Sequence, residues 1–280
     1  MIQLTHLSKR FGDKIAVNDL NMILEPGKVM GLIGQNGAGK TTTFRMILNF
    51  IVPTSGTITW DNRPITQKDK QKIGFLPEER GLYQKLTIEE QILYFAELHG
   101  MSRADAKSEL THWLKRLDVV GKASDKVQSL SKGNAQKVQM IASLIFKPEF
   151  IILDEPFSGL DPVNTSIMMS EIMRMRDQGA MIIFSSHDMN NVTKISDNLT
   201  MLKQGKSILQ GGVQEIREQF GRTKVYIEGP FSREELAHLP GVINVIPQGA
   251  GFDLTITEDH VGHDIFTYVT KNGYIPAFSQ

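Results

Sequence analysis

"GLIGQNGAGKTTTFRMIL", residues 31–48, sets glycines, one lysine and three threonines among apolar residues, and its reading governs everything around it. Within it, "GQNGAGKT" (Gly34–Thr41) fits the pattern G-x-x-x-x-G-K-[ST]. The setting matters as much as the letters. "VMGLI" (29–33) reads as a short buried strand. Lys40 to Phe50 reads as a helix with apolar Phe44, Ile47, Leu48 and Ile51 along one side. A loop at such a strand-to-helix junction can wrap a chain of phosphates with backbone N–H groups, and the helix N-terminus adds the positive end of its dipole. Gly34, Gln35, Asn36, Gly37, Ala38 and Gly39 form the expected cradle. Lys40 is expected to reach the β and γ phosphates of a nucleotide, Thr41 to ligate Mg²⁺ and Thr42 to donate to the α phosphate.

A phosphate loop alone leaves many nucleotide hydrolases open, and a second acidic element narrows them. "FIILDEP" (Phe150–Pro156) is an apolar strand ending in two adjacent carboxylates. Alternation along a strand would send them in different directions, Asp154 to the Mg²⁺ shell and Glu155 towards the γ phosphate, where it can polarise a water. The bland alternative is an acidic pair that caps a helix before Pro156.

Composition bounds the rest. The chain has 280 residues, 40% of them hydrophobic, enough for one substantial core and a small second domain. It has no cysteine, which excludes disulfides, thiolate metal sites and a cysteine nucleophile. The formal net charge is +0 and the pI about 7.1, so the overall balance calls for no nucleic-acid partner. "MIQLTHLSKRFGDK" lacks a signal-peptide core, and no apolar run approaches the roughly 18–20 residues of a spanning helix. Work at a membrane would then need another chain.

Along the chain, "MIQLTHLSKRF" and "DLNMILEPG" read as strands and "PTSGTITWDN" as a hairpin. A mostly helical insertion follows, about residues 85–147, in which Thr87 and Glu90 form a capping box. Strand 149–153, a helix over 162–177, strand 180–186 and the hairpin "LTMLKQGKSILQGG" complete the order. The expected fold is α/β: a mainly parallel sheet, an antiparallel β subdomain and the helical insertion. Residues 223–280 are rich in Glu and Asp while the remainder is basic, so a boundary is expected at 222/223, between a nucleotide-binding domain and a small C-terminal α/β domain.

"GQNGAGKTT", "SLSKGNAQKVQ", "FIILDEPFSGLDP" and "IIFSSHDM", in this order over residues 1–220, resemble the nucleotide-binding subunit of an ATP-binding cassette (ABC) transporter, a P-loop NTPase. The resemblance implies ATP and Mg²⁺ as ligands, an ATPase, and two subunits closing head to tail over two ATP molecules. It implies that Ser131 and Gly133 touch the γ phosphate held by the opposite subunit. "SGLD" (158–161) would pass between subunits, His187 would hold the attacking water with Glu155, and Phe11 would stack on adenine. It also implies a separate integral membrane permease as partner and a peripheral place on the cytoplasmic face of the cell membrane. A homodimer is expected before a heterodimer.

Two departures stand out. "IGFLPEERGLY" puts Glu78 where the family usually has glutamine, and a carboxylate can ligate Mg²⁺ but cannot donate a hydrogen bond. "LSKGN" replaces the usual "LSGGQ" and adds Lys132 beside the expected phosphate. With the "PEERGLY" run, both resemble a bacterial efflux subgroup that includes a sodium-extrusion type. The competing class is a soluble single-cassette ATPase working with non-membrane partners. Three other features read as structural: the methionines of "IMMSEIMRM" as helix packing, "HVGH" without a third metal ligand, and the alternating aromatics of "FTYVTKNGYIPAF" as the core of a small sheet.

Overall fold

The computed structural model describes residues 1–79, 81–220 and 223–280; Arg80 of the "PEERGLY" run and Gly221–Arg222 at the expected boundary lie outside them. The chain divides into two compact units, Met1–Gly211 and Gly212–Gln280.

The first unit opens on two long strands, β1 (Ile2–Phe11) and β2 (Lys14–Leu24). In β2, buried Leu20, Met22 and Leu24 alternate with exposed Asp19, Asn21 and Ile23, the pattern of a strand covered on one face. Then come β3 (Val29–Ile33), α1 (Lys40–Ile47), β4 (Ser55–Trp60), β5 (Arg63–Pro64), α2 (Gln67–Lys70) and β6 (Ile73–Leu76). β4 and β5 form the expected hairpin around Asp61 and Asn62, both at positive φ, and the antiparallel sheet runs β2-β1-β4-β5.

The helical insertion comprises α3 (Ile88–Leu98), α4 (Arg103–Arg116) and α5 (Lys132–Leu144). Thr87 and Glu90 make the capping box anticipated at the start of α3. After it the chain returns through β7 (Phe150–Leu153), α6 (Pro162–Asp177), β8 (Met181–Ser186), α7 (Met189–Ile195), β9 (Asn198–Lys203) and β10 (Lys206–Gly212). Strands β3, β7 and β8 are buried throughout, as parallel strands with both faces covered must be. The second sheet runs β10-β9-β3-β8-β7-β6. Phe44 and Ile47 of α1 pack with Met22, Leu32, Phe150 and Ile183 in a core shared with the antiparallel sheet. Met168, Met169 and Met175 of α6 are buried too.

One consequence of register positions the site. Ile33 pairs with Ser186, Leu32 with Ser185, Leu153 with Phe184 and Leu76 with Leu153. The segments that follow β3, β6, β7 and β8 therefore leave the sheet along one edge, where ligands of open α/β sheets bind.

Helix α1 stops at Ile47, short of the Phe50 expected from periodicity. Asn49 adopts φ +57°, its N–H donates to Met46 O, and Phe50 N–H reaches back to Arg45 O (2.8 Å). This left-handed closure satisfies the last carbonyls and leaves Phe50 exposed.

The second unit holds α8 (Val213–Phe220), β11 (Lys224–Glu228), α9 (Arg233–Ala237), β12 (Val242–Gln248), β13 (Gly251–Ile256), α10 (Asp259–Asn272) and β14 (Ala277–Ser279). Its sheet, β12-β13-β11-β14, is antiparallel, and the order β-α-β-β-α-β is that of the split β-α-β motif. Val225, Ile227, Leu236, Val245, Leu254, Ile265 and Val269 give it a core of its own. The reading of "FTYVTKNGYIPAF" as sheet core is corrected here. As far as Asn272 the run is helix, with Phe266 and Tyr268 partly exposed and Val269 alone fully buried among the three, because the buried positions Val261, Ile265 and Val269 repeat every four residues.

Removing the cap of α3 should be measurable: Thr87→Ala is expected to destabilise the first unit by about 1 kcal/mol, read as a lower urea midpoint with an unchanged slope.

Candidate active site

The loop between β3 and α1 turns on Gly37 (φ +81°) and Gly39 (φ +112°). Glycine is demanded there by the protein's own backbone as well. A Cβ on Gly39 would stand 2.5 Å from Ala16 O, and one on Gly34 would stand 2.6 Å from Leu202 O, so the loop is pressed between β2 and β9. Thr43 Oγ1 donates to Gly39 O (2.9 Å) and steadies the first helical turn. Lys40, only 6% exposed, donates from Nζ to Gly34 O (2.7 Å) and lies 3.5 Å from Glu155 Oε1. Its charge is thereby held at the centre of the loop.

Opposite stands the acidic pair. Thr41 Oγ1 donates to Asp154 Oδ2 (2.9 Å), which ties α1 to the end of β7. The other oxygen, Asp154 Oδ1, accepts from Ser185 Oγ (2.6 Å), and Ser185 Oγ accepts in turn from Glu155 N–H (2.8 Å). His187 Nδ1 lies 3.0 Å from Glu155 Oε2. Asp154 and Glu155 do diverge, but strand alternation is not the cause. β7 ends at Leu153, and Glu155 sits in the left-handed region at φ +48°, a strained conformation for a residue with a side chain. Glu155 Oε1 is buried with no hydrogen-bond partner.

A cavity of about 390 Å³ gathers most of the expected residues: Phe11, Gln35, Asn36, Gly37, Ala38, Gly39, Lys40, Thr41, Thr42, Glu78, Asp154 and Glu155 line it, with Lys14 and Ala16. Phe11 is 49% exposed and so is no core residue. Glu78 reaches this cavity on a loop pinned from behind, since Gln139 Nε2 donates to Pro77 O (3.2 Å) and Glu79 O (3.1 Å). Thr41, Asp154 and Glu78 offer oxygen atoms only, a donor set suited to Mg²⁺. Gly34 underlies the loop without lining the cavity. His187 faces a second cavity with Ser158 and Gly159, and the two cavities share Glu155.

Ser131 and Gly133 lie outside both cavities, at the start of α5. Ser131 caps that helix by accepting from Asn134 N–H (3.3 Å), while a Cβ on Gly133 would meet Asn164 Nδ2 at 3.3 Å. Asn164 also bonds Asp161, whose carboxyl is held below the usual range by the Asn164 backbone N–H and side-chain amide. The starts of α5 and α6 therefore pass close to one another at Gly133 and Asn164. Within α5, burial pushes the Lys137 ammonium down, and its Nζ donates to Asp118 O (2.9 Å). Sequence reasoning missed Ser185, Gln139 and Asn164. Ser185 did carry a signal, as one of two hydroxyls closing an otherwise apolar buried strand.

The family described as ABC transporter matches residues 17–158, and the one described as ATP-binding protein DrrA1-3-like, C-terminal domain, matches 211–280. The chain belongs to the ATP-binding proteins of ABC transporters. It is 41% identical over 278 residues to the uncharacterized ABC transporter ATP-binding protein YhaQ of Bacillus subtilis (strain 168), covering 99% of this chain and 93% of that one. It is 32% identical over 233 residues to a Nod factor export ATP-binding protein I of Burkholderia lata, covering 82% and 77%. A solved structure described as an ATP-binding subunit of an ABC transporter superposes with TM-score 0.73 at 28% identity, covering 79% of this chain and 93% of the other. As an ABC ATP-binding subunit, the protein binds and hydrolyses ATP and powers a membrane permease on a separate chain. No helix among the described residues is long and apolar enough to cross a membrane.

Ser185 satisfies both carboxylate-bearing residues from one buried atom. Ser185→Ala should cost about 1–3 kcal/mol of stability by leaving Asp154 Oδ1 and Glu155 N–H unmatched. Ser185→Thr, which keeps the hydroxyl, should recover most of that loss in the same denaturation experiment.

Proposed function

We propose that this subunit drives export, with the cavity at the sheet edge as its ATP site. The observation that carries the site is the hydrogen-bonded chain Thr41–Asp154–Ser185–Glu155–His187, buried at Asp154, Ser185 and Glu155, with the Lys40 ammonium 3.5 Å from Glu155. Lys40 and the N–H groups of Gly34 to Thr42 bind the phosphates, and Phe11 stacks on adenine at the cavity mouth. Thr41, Asp154 and Glu78 would hold Mg²⁺, which when bound supplies positive charge to the β and γ phosphate oxygens. Glu155 Oε1, buried and without a hydrogen-bond partner, accepts the proton of the attacking water. His187 fixes the orientation of that carboxylate through Oε2.

Two copies of the chain close head to tail, and Ser131 and Gly133 of each complete the site of the other by touching its γ phosphate. The absence of a side chain at Gly133 supports this, because it leaves the backbone at the start of α5 free to approach a ligand closely. The first unit is the nucleotide-binding domain and the second an accessory domain. The subunit sits peripherally on the cytoplasmic face of the membrane. Export of an ion or small molecule is supported by likeness to the Nod factor export protein.

Lys40→Ala should weaken ATP binding by about 10²-fold or more, whereas Glu155→Gln should keep binding, lower turnover by about 10²–10⁴-fold and accumulate the closed dimer on size exclusion with ATP. Wild-type turnover in Glu155→Gln would remove that residue from the reaction. Tagged Glu155→Gln protein, pulled down with ATP in mild detergent from its native cells, should bring a multi-spanning membrane protein with it. Reproducible recovery of soluble proteins alone would overturn the export reading.

A further inference from the structure

The aromatic ring at the cavity mouth has a neighbour that no nucleotide-binding motif accounts for. Lys9 and Phe11 are two residues apart on β1 and so project from the same face of the strand. Lys9 Nζ lies over the Phe11 ring, 5.0 Å from its centroid. The ammonium is itself held, donating to Val52 O (2.7 Å). That carbonyl belongs to a stretch stitched to β1 by two further bonds, Thr54 N–H to Ser8 O (2.8 Å) and Arg10 N–H to Thr54 Oγ1 (3.0 Å). Lys9 is half-buried, whereas Phe11 is half-exposed at the end of the strand.

We infer that Lys9 is a positioning residue for the adenine platform: its ammonium, anchored on Val52 O, pins the Phe11 ring in the pose that receives the base. Phe11 lines the nucleotide cavity and Lys9 does not. A cation over an aromatic ring is attracted by the quadrupole of the ring. An exposed phenylalanine at a strand end would otherwise sample several rotamers and have to be ordered when the base arrives. The cation also draws π density towards itself, which favours stacking of an electron-rich purine on the other side. Lys9 touches no part of the nucleotide in this scheme, so it acts on affinity for the base and leaves affinity for the phosphates alone.

The inference rests on reading Phe11 as the adenine platform, and the test separates the two. Titration calorimetry of the full-length protein with Mg·ATP and with Mg·triphosphate, which has phosphates but no base, supplies the contrast. Phe11→Ala should weaken ATP binding and leave triphosphate binding unchanged. Lys9→Met, which keeps the aliphatic stem and removes the charge, should weaken ATP about threefold and triphosphate not at all. Lys9→Arg, which keeps a cation and a donor, should restore the wild-type ratio. Equal losses for both ligands in Lys9→Met would mark Lys9 as merely structural, and no loss for either would mark it as idle; each overturns the inference provided Phe11→Ala is selective. If Phe11→Ala leaves ATP binding intact, the adenine reading itself fails and takes the role of Lys9 with it.

Discussion

A buried ammonium must have a partner, and in this protein the partner is a carboxylate from a different strand. Lys40 and Glu155 are 6% and 7% exposed, 3.5 Å apart, and each would be costly to bury alone. Their pairing obliges the loop after β3 and the turn after β7 to meet, although β8 lies between those strands in the sheet. β8 serves as the bridge: Ser185 bonds Asp154 Oδ1 on one side and Glu155 N–H on the other, and His187 follows two residues later. Three parallel strands thus end in one polar cluster whose members satisfy one another, leaving Glu155 Oε1 as the buried carboxylate atom with no hydrogen bond. A site of this kind is built on strand ends and a helix start, and its one carboxylate oxygen without a hydrogen bond faces the Lys40 ammonium.

What was legible in the sequence follows the range of the interactions. Gly34 to Thr42 form a contiguous stretch whose function depends on local backbone conformation, so the letters suffice to find it. The capping box at Thr87 and Glu90 is local in the same sense, as is the two-residue turn at Asp61 and Asn62. Ser185, Gln139 and Asn164 meet partners 31, 62 and 31 positions away in sequence; two hydroxyls ending an apolar strand mark Ser185 as unusual without naming its partner, and nothing beside Gln139 or Asn164 announces theirs. The divergence of Asp154 and Glu155 was anticipated for the wrong reason, because both residues lie beyond the end of β7 at Leu153 and Glu155 takes a left-handed conformation that no propensity rule assigns to glutamate. The end of α1 was overestimated similarly: apolar spacing continues to Ile51, but Asn49 closes the helix before that periodicity runs out.

The departures from the family pattern take on physical content in this setting. Glu78 stands in a cavity that already holds Asp154 and Glu155 against the single buried cation Lys40, so the lining carries an excess of negative charge that Lys14, at the rim, only partly offsets. Such a wall favours a ligand that arrives with its own cations, which is how a nucleotide triphosphate travels in the presence of a divalent metal. A glutamine at position 78 would leave the wall nearer neutrality.

Lys132 presents the converse case. It occupies the first turn of α5, where the helix dipole is already positive and where no acidic residue stands to balance it. A cation at that position opposes the helix it begins, while Ser131 caps the same turn by accepting from Asn134 N–H. The repulsion between Lys132 and the helix dipole is relieved when an anion approaches the helix start. The side facing such an anion is therefore stabilised by the encounter itself. On the scheme of two copies closing over shared nucleotide, that places the electrostatic gain of association at the moment the phosphate of one subunit meets the α5 terminus of the other, and takes it away again once the phosphate departs.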